Sequence, residues 1–316
     1  MSAQQVQRPS AHQIRERVHH MWGRVAPAWE RHADEVEARV EAITHLMIEA
    51  VHPAPGDEVL ELACGAGGLG LALAPRVSPG GRVLLSDVAP EMVEIAAARA
   101  GGVPRTDGLP QVSARVIDLE QMDLPDSSFD IVVCREGMMF ALDPAQAARE
   151  IARVTRPGGR GAVPVWGPRE RNPWLGVLAD AVHQQTGIPV PPPGIPGPFS
   201  LSAHGALAAV LADAGLEQIQ VQEVPVPTHD ASFEDYWQLR TALAGPLKGL
   251  IDALEPEQRA ALKETVRARL TPYHGTDGLT IPGTAHLATG RRPDHPQTRG
   301  ARQTVVTDVD GSRRPH

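Results

Sequence analysis

The chain has 316 residues, enough to bury a substantial core in one large domain or in one domain with a cap. Its 38 acidic residues outnumber its 30 lysines and arginines, and the net charge of −8 argues against a broad nucleic-acid surface and for small molecules as substrates. Two cysteines and 13 scattered histidines show no zinc-ligand spacing, no signal-peptide pattern opens the chain, and no apolar run approaches the roughly 18 residues of a membrane span; the expectation is a cytoplasmic protein with no metal, no nucleic acid and no membrane partner.

Residues 1–12 are polar and aperiodic and read as a disordered N-terminus. Residues 13–53 read as a helical lid. Val18, Met21, Trp22 and Val25 recur at helical spacing, Trp29 follows Pro27, and Val40, Ile43, Leu46, Met47 and Ala50 mark one side of a helix over Val36–Val51 that stops before Pro53. His19, His20 and His32 lie nearby; a solvated surface histidine is the simpler reading of each, and a place facing the substrate is the functional one.

Residues 54–166 read as an α/β core. Val59, Leu60 and Leu62 form a short apolar run that suits a strand buried on both faces, and Gly65, Gly67, Gly68 and Gly70 follow it, with a helix over Leu69–Pro75. A strand, a glycine turn and a helix entry make a ligand cradle, because the turn lets backbone approach closely and the first helical N–H groups are free. Through the family resemblance given below, Val83–Asp87 is read as a second strand, Ala89–Ala98 as a helix, Val116–Leu119 as a strand end, Phe129–Cys134 as a further strand, Asp143–Val154 as a helix and Gly161–Trp166 as the fifth strand after a turn at Val154–Arg160. Cys64 and Cys134 end two of these buried strands and read as reduced core residues.

Residues 167–227 are read as a substrate-side loop, helix and strand: a helix running to about Gly187, the proline-rich run IPVPPPGIPGPFS as a semi-rigid wall or a mere connector, a helix over Leu201–Gly215, and the alternating strand Ile219–Val226. Residues 228–279 carry helical stretches near Phe233–Leu254 and Pro256–Leu270; because the flanking strands pair almost directly in the fold that the resemblance below implies, this stretch is expected to be an inserted helical cap that shapes the acceptor site. A final strand is expected over Thr280–Arg291, in a segment spanning 280–292, and residues 293–316 read as a disordered tail.

Two ligands could use the glycine cradle. Gly65, Gly67 and Gly70 satisfy the dinucleotide pattern G-x-G-x-x-G, and Asp87 stands about twenty residues on, where an acid would take a ribose. Glu61 near the strand end favours the other reading: a carboxylate repels a pyrophosphate but attracts the ammonium of an amino acid, and S-adenosylmethionine carries such an ammonium and no phosphate. The segment Asp57–Gly70, DEVLELACGAGGLG, resembles motif I of the class I S-adenosylmethionine-dependent methyltransferases; VLLSD, VIDL, the strand Phe129–Cys134 and VTRPGGR follow in the family's order, over roughly residues 15–292, most like the small-molecule enzymes of ubiquinone and menaquinone biosynthesis.

The resemblance implies a Rossmann-like sheet of seven mostly parallel strands with helices on both faces and the last strand antiparallel. It implies methyl transfer to an O, N or C nucleophile of a small, partly apolar metabolite, leaving S-adenosylhomocysteine. It places Glu61, Ala63, Gly65, Gly67, Val88 and Met92 around the cofactor, Asp87 on both ribose hydroxyls, Asp118 on the adenine amine and Leu119 against the ring. Trp29, in VAPAWE, takes the place where the family usually has tyrosine, so only packing or cation–π contact remains there. Arg135 and Glu136 fill the position between cofactor and acceptor, either functionally or as a structural ion pair. Glu136 and His32 are the candidate bases. The alternatives are a nicotinamide-dependent oxidoreductase, disfavoured by Glu61 and by only two tyrosines, both late, and a non-catalytic binding protein of the same fold. Oligomeric state and acceptor identity have no signature in the sequence.

Overall fold

Apolar runs flanked by glycines and prolines form the strands, and longer stretches with apolar residues on one side form the helices. A computed structural model describes residues 11–102 and 111–294, so the N-terminal segment 1–10 and most of the expected tail lie outside the described residues. The chain begins with α1 (Ala11–Arg31), α2 (Ala33–Arg39) and α3 (Glu41–Val51). Pro27 lies inside α1 without ending it. The single helix expected over Val36–Val51 is instead two, broken at Val40, whose φ of −106° and ψ of 14° leave the helical region. Val36, Val40, Ile43 and Met47 nevertheless all reach the core.

The core then alternates β1 (Glu58–Glu61), α4 (Gly68–Leu73), β2 (Arg82–Asp87), α5 (Pro90–Gly101), β3 (Gln111–Val116), β4 (Phe129–Val133), α6 (Pro144–Val154) and β5 (Thr155–Trp166). Strand β5 starts earlier than the expected Gly161, taking in the turn at Val154–Arg160, and a register shift between Phe129 and Ile131 accommodates the extra length. The chain continues through α7 (Pro173–Thr186), α8 (Ala206–Asp213), β6 (Glu217–Pro225), β7 (Thr228–Asp230), α9 (Phe233–Leu243), α10 (Gly245–Asp252), α11 (Pro256–Leu270), β8 (His274–Gly275), β9 (Gly278–Ile281) and β10 (Thr284–Arg291). Helix α8 is shorter than the expected Leu201–Gly215, whose first residues form turns.

The main sheet has the order β3-β2-β1-β4-β5-β10-β6. Neighbouring strands from β3 through β5 pair in parallel, and β10 runs antiparallel between β5 and β6, with Ala288 opposite both Val163 and Val221. This is the expected Rossmann-like sheet with its last strand antiparallel. A second sheet, β7-β9-β8, has no forerunner in the sequence reading. It arises because Pro282-Gly283 interrupts the expected final strand, so Thr280 and Ile281 pair with β7 and β10 starts afresh at Thr284. Burial is near complete where α3 and α6 pack on the sheet, with Ile43, Met47, Leu60, Ile131 and Ile151 at most 1% exposed.

Candidate active site

Ligands of open α/β sheets bind at the carboxyl ends of the strands where strand order reverses, here between β1 and β4. Strand β1 ends in Glu61, and the chain turns through Ala63 (φ +50°), Gly65 (φ +52°) and Gly67 (φ +81°) into α4. Gly67 needs its glycine twice over: a side chain would strain the left-handed backbone, and its Cβ would sit 3.0 Å from Leu85 Cδ1. At Gly70 an added Cβ would lie 2.2 Å from Leu85 Cδ2 and 2.6 Å from Glu61 Oε2. That closeness is functional, since the Gly70 N–H donates to Glu61 Oε2 at 2.7 Å. Glu61 therefore braces the loop as well as lining the cavity. Burial pushes its carboxyl up to about 8, against the opposing influence of Arg135 and the Gly70 hydrogen bond.

Asp87 closes the other side of the loop. Its Oδ2 accepts from Gly65 N–H and its Oδ1 from Ala89 N–H, each at 3.0 Å, so one carboxylate ties the glycine turn to the start of α5. The Val88 N–H is a further backbone donor to this carboxylate, which lines the cavity. Burial raises its pKa despite those hydrogen bonds.

One cavity collects Trp29, Glu61, Ala63, Gly65, Asp87, Val88, Met92, Asp118, Leu119, Arg135 and Glu136, eleven of the thirteen positions expected from sequence. Gly67 and His32 are not among its lining residues. Gly67 shapes the turn from behind, its N–H donating to Cys64 O at 2.8 Å. His32 stands outside, its Nδ1 2.9 Å from Glu35 Oε2. Trp29 lies over the loop, 3.7 Å from where a Cβ on Gly65 would be, and its Nε1–H donates to Leu243 O at 3.3 Å. Trp22 meets Trp29 and Phe140 edge to face, so α1 covers the cofactor side of the cavity with aromatic surface.

Asp118 has a partner the sequence did not suggest. Its Oδ2 pairs with Arg15 Nε at 3.0 Å while its Oδ1 accepts from Glu120 N–H at 2.8 Å. Arg15 also reaches Glu120 at 2.8 Å, tying the start of α1 to the loop after β3. Arg135 does not pair with Glu136. Its guanidinium bridges Glu37 and Thr44 from α2 and α3, with Nη1 2.7 Å from Glu37 Oε2 and 2.6 Å from Thr44 Oγ1.

Glu136 stands apart from that network. It holds a left-handed backbone (φ +57°), unusual for a residue with a side chain, and Oε1 is buried with no hydrogen-bond partner. Burial raises its carboxyl to about 7, with Arg39 and Arg135 pulling the other way. Beyond it the cavity is walled by Trp166, Trp174 and Phe199, and by Arg39, Arg169 and Arg240. The proline-rich run contributes Val190, Pro191, Pro198 and Phe199 to this wall. Sequence reading missed these arginines because a lone arginine on an amphipathic helix looks like any solvated one; the tryptophans in VPVW and NPWLG were the available signal. Cys64 and Cys134 are free and buried. Among the described residues, no cluster of histidine, cysteine and acidic side chains could hold a metal, and no helix is long and apolar enough to cross a membrane.

The sheet order, the glycine loop braced by Glu61 and the acid at the end of β2 are the frame of a methyl-transferring enzyme, and residues 59–159 match the model of a methyltransferase domain family. Over that stretch, about a third of the chain, the sequence is similar to the class I S-adenosylmethionine-dependent methyltransferases, which favours the amino-acid nucleoside over the dinucleotide at the glycine turn. Over 266 residues it is 29% identical to the nocamycin O-methyltransferase of Saccharothrix syringae, covering 79% of this chain and 90% of that protein. It is 34% identical over 113 residues to a demethylmenaquinone methyltransferase of Symbiobacterium thermophilum, covering 36% of this chain but only 44% of that protein. Among solved structures, the [4+2]-cyclase SpnF shares the fold with a TM-score of 0.55 at 21% identity, over 90% of this chain and 97% of that one.

Proposed function

We propose that this enzyme methylates a hydroxyl oxygen of a small, partly apolar metabolite, with Glu136 as general base. The observation that carries this reading is Glu136 itself: a carboxylate at the carboxyl end of β4, in the cavity, unpartnered at Oε1 and near neutral in its titration. The near full-length similarity to an O-methyltransferase supports oxygen as the nucleophile.

The residues present fit S-adenosylmethionine. Asp87 presents its carboxylate to the cavity for the ribose, Met92 and Leu119 offer apolar contact for the adenine, and Glu61 offers a carboxylate for the ammonium. When bound, the cofactor supplies an activated methyl on a sulfonium. The chain's own work is to align the acceptor oxygen with that methyl, exclude water and take up the proton. Glu136 would take up the proton of the acceptor hydroxyl as that oxygen accepts the methyl that a bound cofactor would supply, with the sulfur left as the thioether of S-adenosylhomocysteine. Trp22, Trp29 and Phe140 exclude solvent from this side.

Because SpnF carries a cyclase on the same fold, methyl turnover rather than cofactor binding is the deciding readout. Purified enzyme is incubated with methyl-labelled S-adenosylmethionine and a panel of phenolic, enolic, amine and activated-carbon acceptors. Label entering an oxygen-linked product, and lost in Glu136→Gln, supports the reading; transfer only to nitrogen or carbon, or full turnover in the variant, refutes it.

A further inference from the structure

Three arginines border the acceptor side of the cavity, and two have carboxylate partners. Arg240 pairs with Asp230 at 3.0 Å, both side chains 4% exposed, and Arg169 pairs with Asp180. Arg39, at the end of α2, differs. Its Nε is buried without a hydrogen-bond partner, and among the described residues its guanidinium has no ion-pair partner. It lies 5.0 Å over the Trp174 ring and 6.0 Å from the centre of Trp166, two rings that meet edge to face. Burial and the nearby Arg240 and Arg135 charges lower its pKa to about 10, so at neutral pH it still carries a full charge with no counterion in contact.

A partly buried cation whose Nε is sealed from solvent without a partner is costly, and a ligand carboxylate would offset that cost. A guanidinium offers a planar donor fork suited to a carboxylate. Flanking tryptophans offer flat apolar surface for a ring system. We propose that the methyl acceptor is a planar hydroxy acid: a carboxylate, distinct from the reacting hydroxyl, pairs with Arg39 while the acceptor's ring packs against Trp166 and Trp174. This rests on the methyl-transfer reading above and names its substrate class. Glu136, attracted to Arg39 but out of contact with it, then faces the hydroxyl rather than neutralising the arginine.

The test uses the full chain saturated with S-adenosylhomocysteine, whose binding is first measured alone by calorimetry. Benzoate, 2-naphthoate and 9-anthroate are then titrated alongside their neutral methyl esters, with tryptophan fluorescence as the readout. At least one acid is expected to bind about tenfold or more tightly than its ester. In Arg39→Gln the preference should fall to about twofold or less, while Arg39→Lys keeps an intermediate preference and both variants keep wild-type affinity for S-adenosylhomocysteine. No preference for any acid over its ester in the wild type, or a preference that survives Arg39→Gln, overturns the proposal. Should Arg39→Gln fold poorly, the wild-type preference and the Arg39→Lys value decide. Failure to bind S-adenosylhomocysteine would instead strike the methyl-transfer reading itself.

Discussion

Binding of the cofactor should release a proton from Glu61. In the free protein burial raises this carboxyl from its ordinary 4.5 to about 8, so the neutral form is favoured; at pH 7 about nine chains in ten carry Glu61 protonated. An ammonium placed beside the carboxyl favours the charged form, so affinity must grow with pH. Below about pH 7.5 the gain approaches tenfold per pH unit, and it flattens above about 8. Calorimetry of S-adenosylhomocysteine in two buffers of different ionisation enthalpy, both at neutral pH, should report close to one proton released per ligand. The variant Glu61→Gln should bind more weakly than wild type at high pH and lose the slope. A pH-independent affinity, or a slope retained in Glu61→Gln, would refute the assignment of the ammonium to this carboxyl.

Other expectations follow from the same geometry. Glu136→Gln should lower kcat by about a hundredfold or more while leaving S-adenosylhomocysteine affinity unchanged, and the wild-type rate should rise with pH through about 7, because the base acts deprotonated. Both Glu61 and Glu136 have raised folded-state values, so the stability their neutral forms contribute is fully present below about pH 4.5 and is lost progressively as pH rises to about 7 and about 8; the melting temperature of the free protein should therefore show a downward component between about pH 4.5 and 8 that saturating cofactor reduces. Gly70→Ala drives a Cβ into Leu85 and Glu61, and should cost about 1–3 kcal/mol in chemical denaturation. Asp230→Ala leaves Arg240 buried without its partner and should cost about 3–5 kcal/mol by the same assay.

The cofactor side was legible in the sequence because it is local. Val59–Leu62, the glycines and Asp87 belong to consecutive elements, and each residue's place follows from where a strand must end. The acceptor side was not, because its walls are assembled from elements far apart in the chain. Arg39 at the end of α2 reaches the Trp166 ring at the end of β5, and Arg240 arrives from α9, which packs on β7 and β9 of a sheet that the sequence did not reveal. Arg135 shows the same limit: its neighbour Glu136 was the obvious partner, but adjacent residues beyond a strand end point apart, and Glu37 on α2 takes the ion pair. Pro27 and Val40 show propensity overridden in both directions. A proline is carried within a helix, and a valine inside an unbroken apolar pattern marks the break between α2 and α3.

The cavity between β1 and β4 is expected to take the amino-acid nucleoside and not a dinucleotide. Calorimetric titration of the purified protein with S-adenosylhomocysteine and, separately, with NADH tests it most directly. The expected result is saturable binding of one S-adenosylhomocysteine per chain, weakened in Asp87→Ala, and no heat of binding with NADH; binding of NADH with indifference to S-adenosylhomocysteine would contradict this assignment of the cavity.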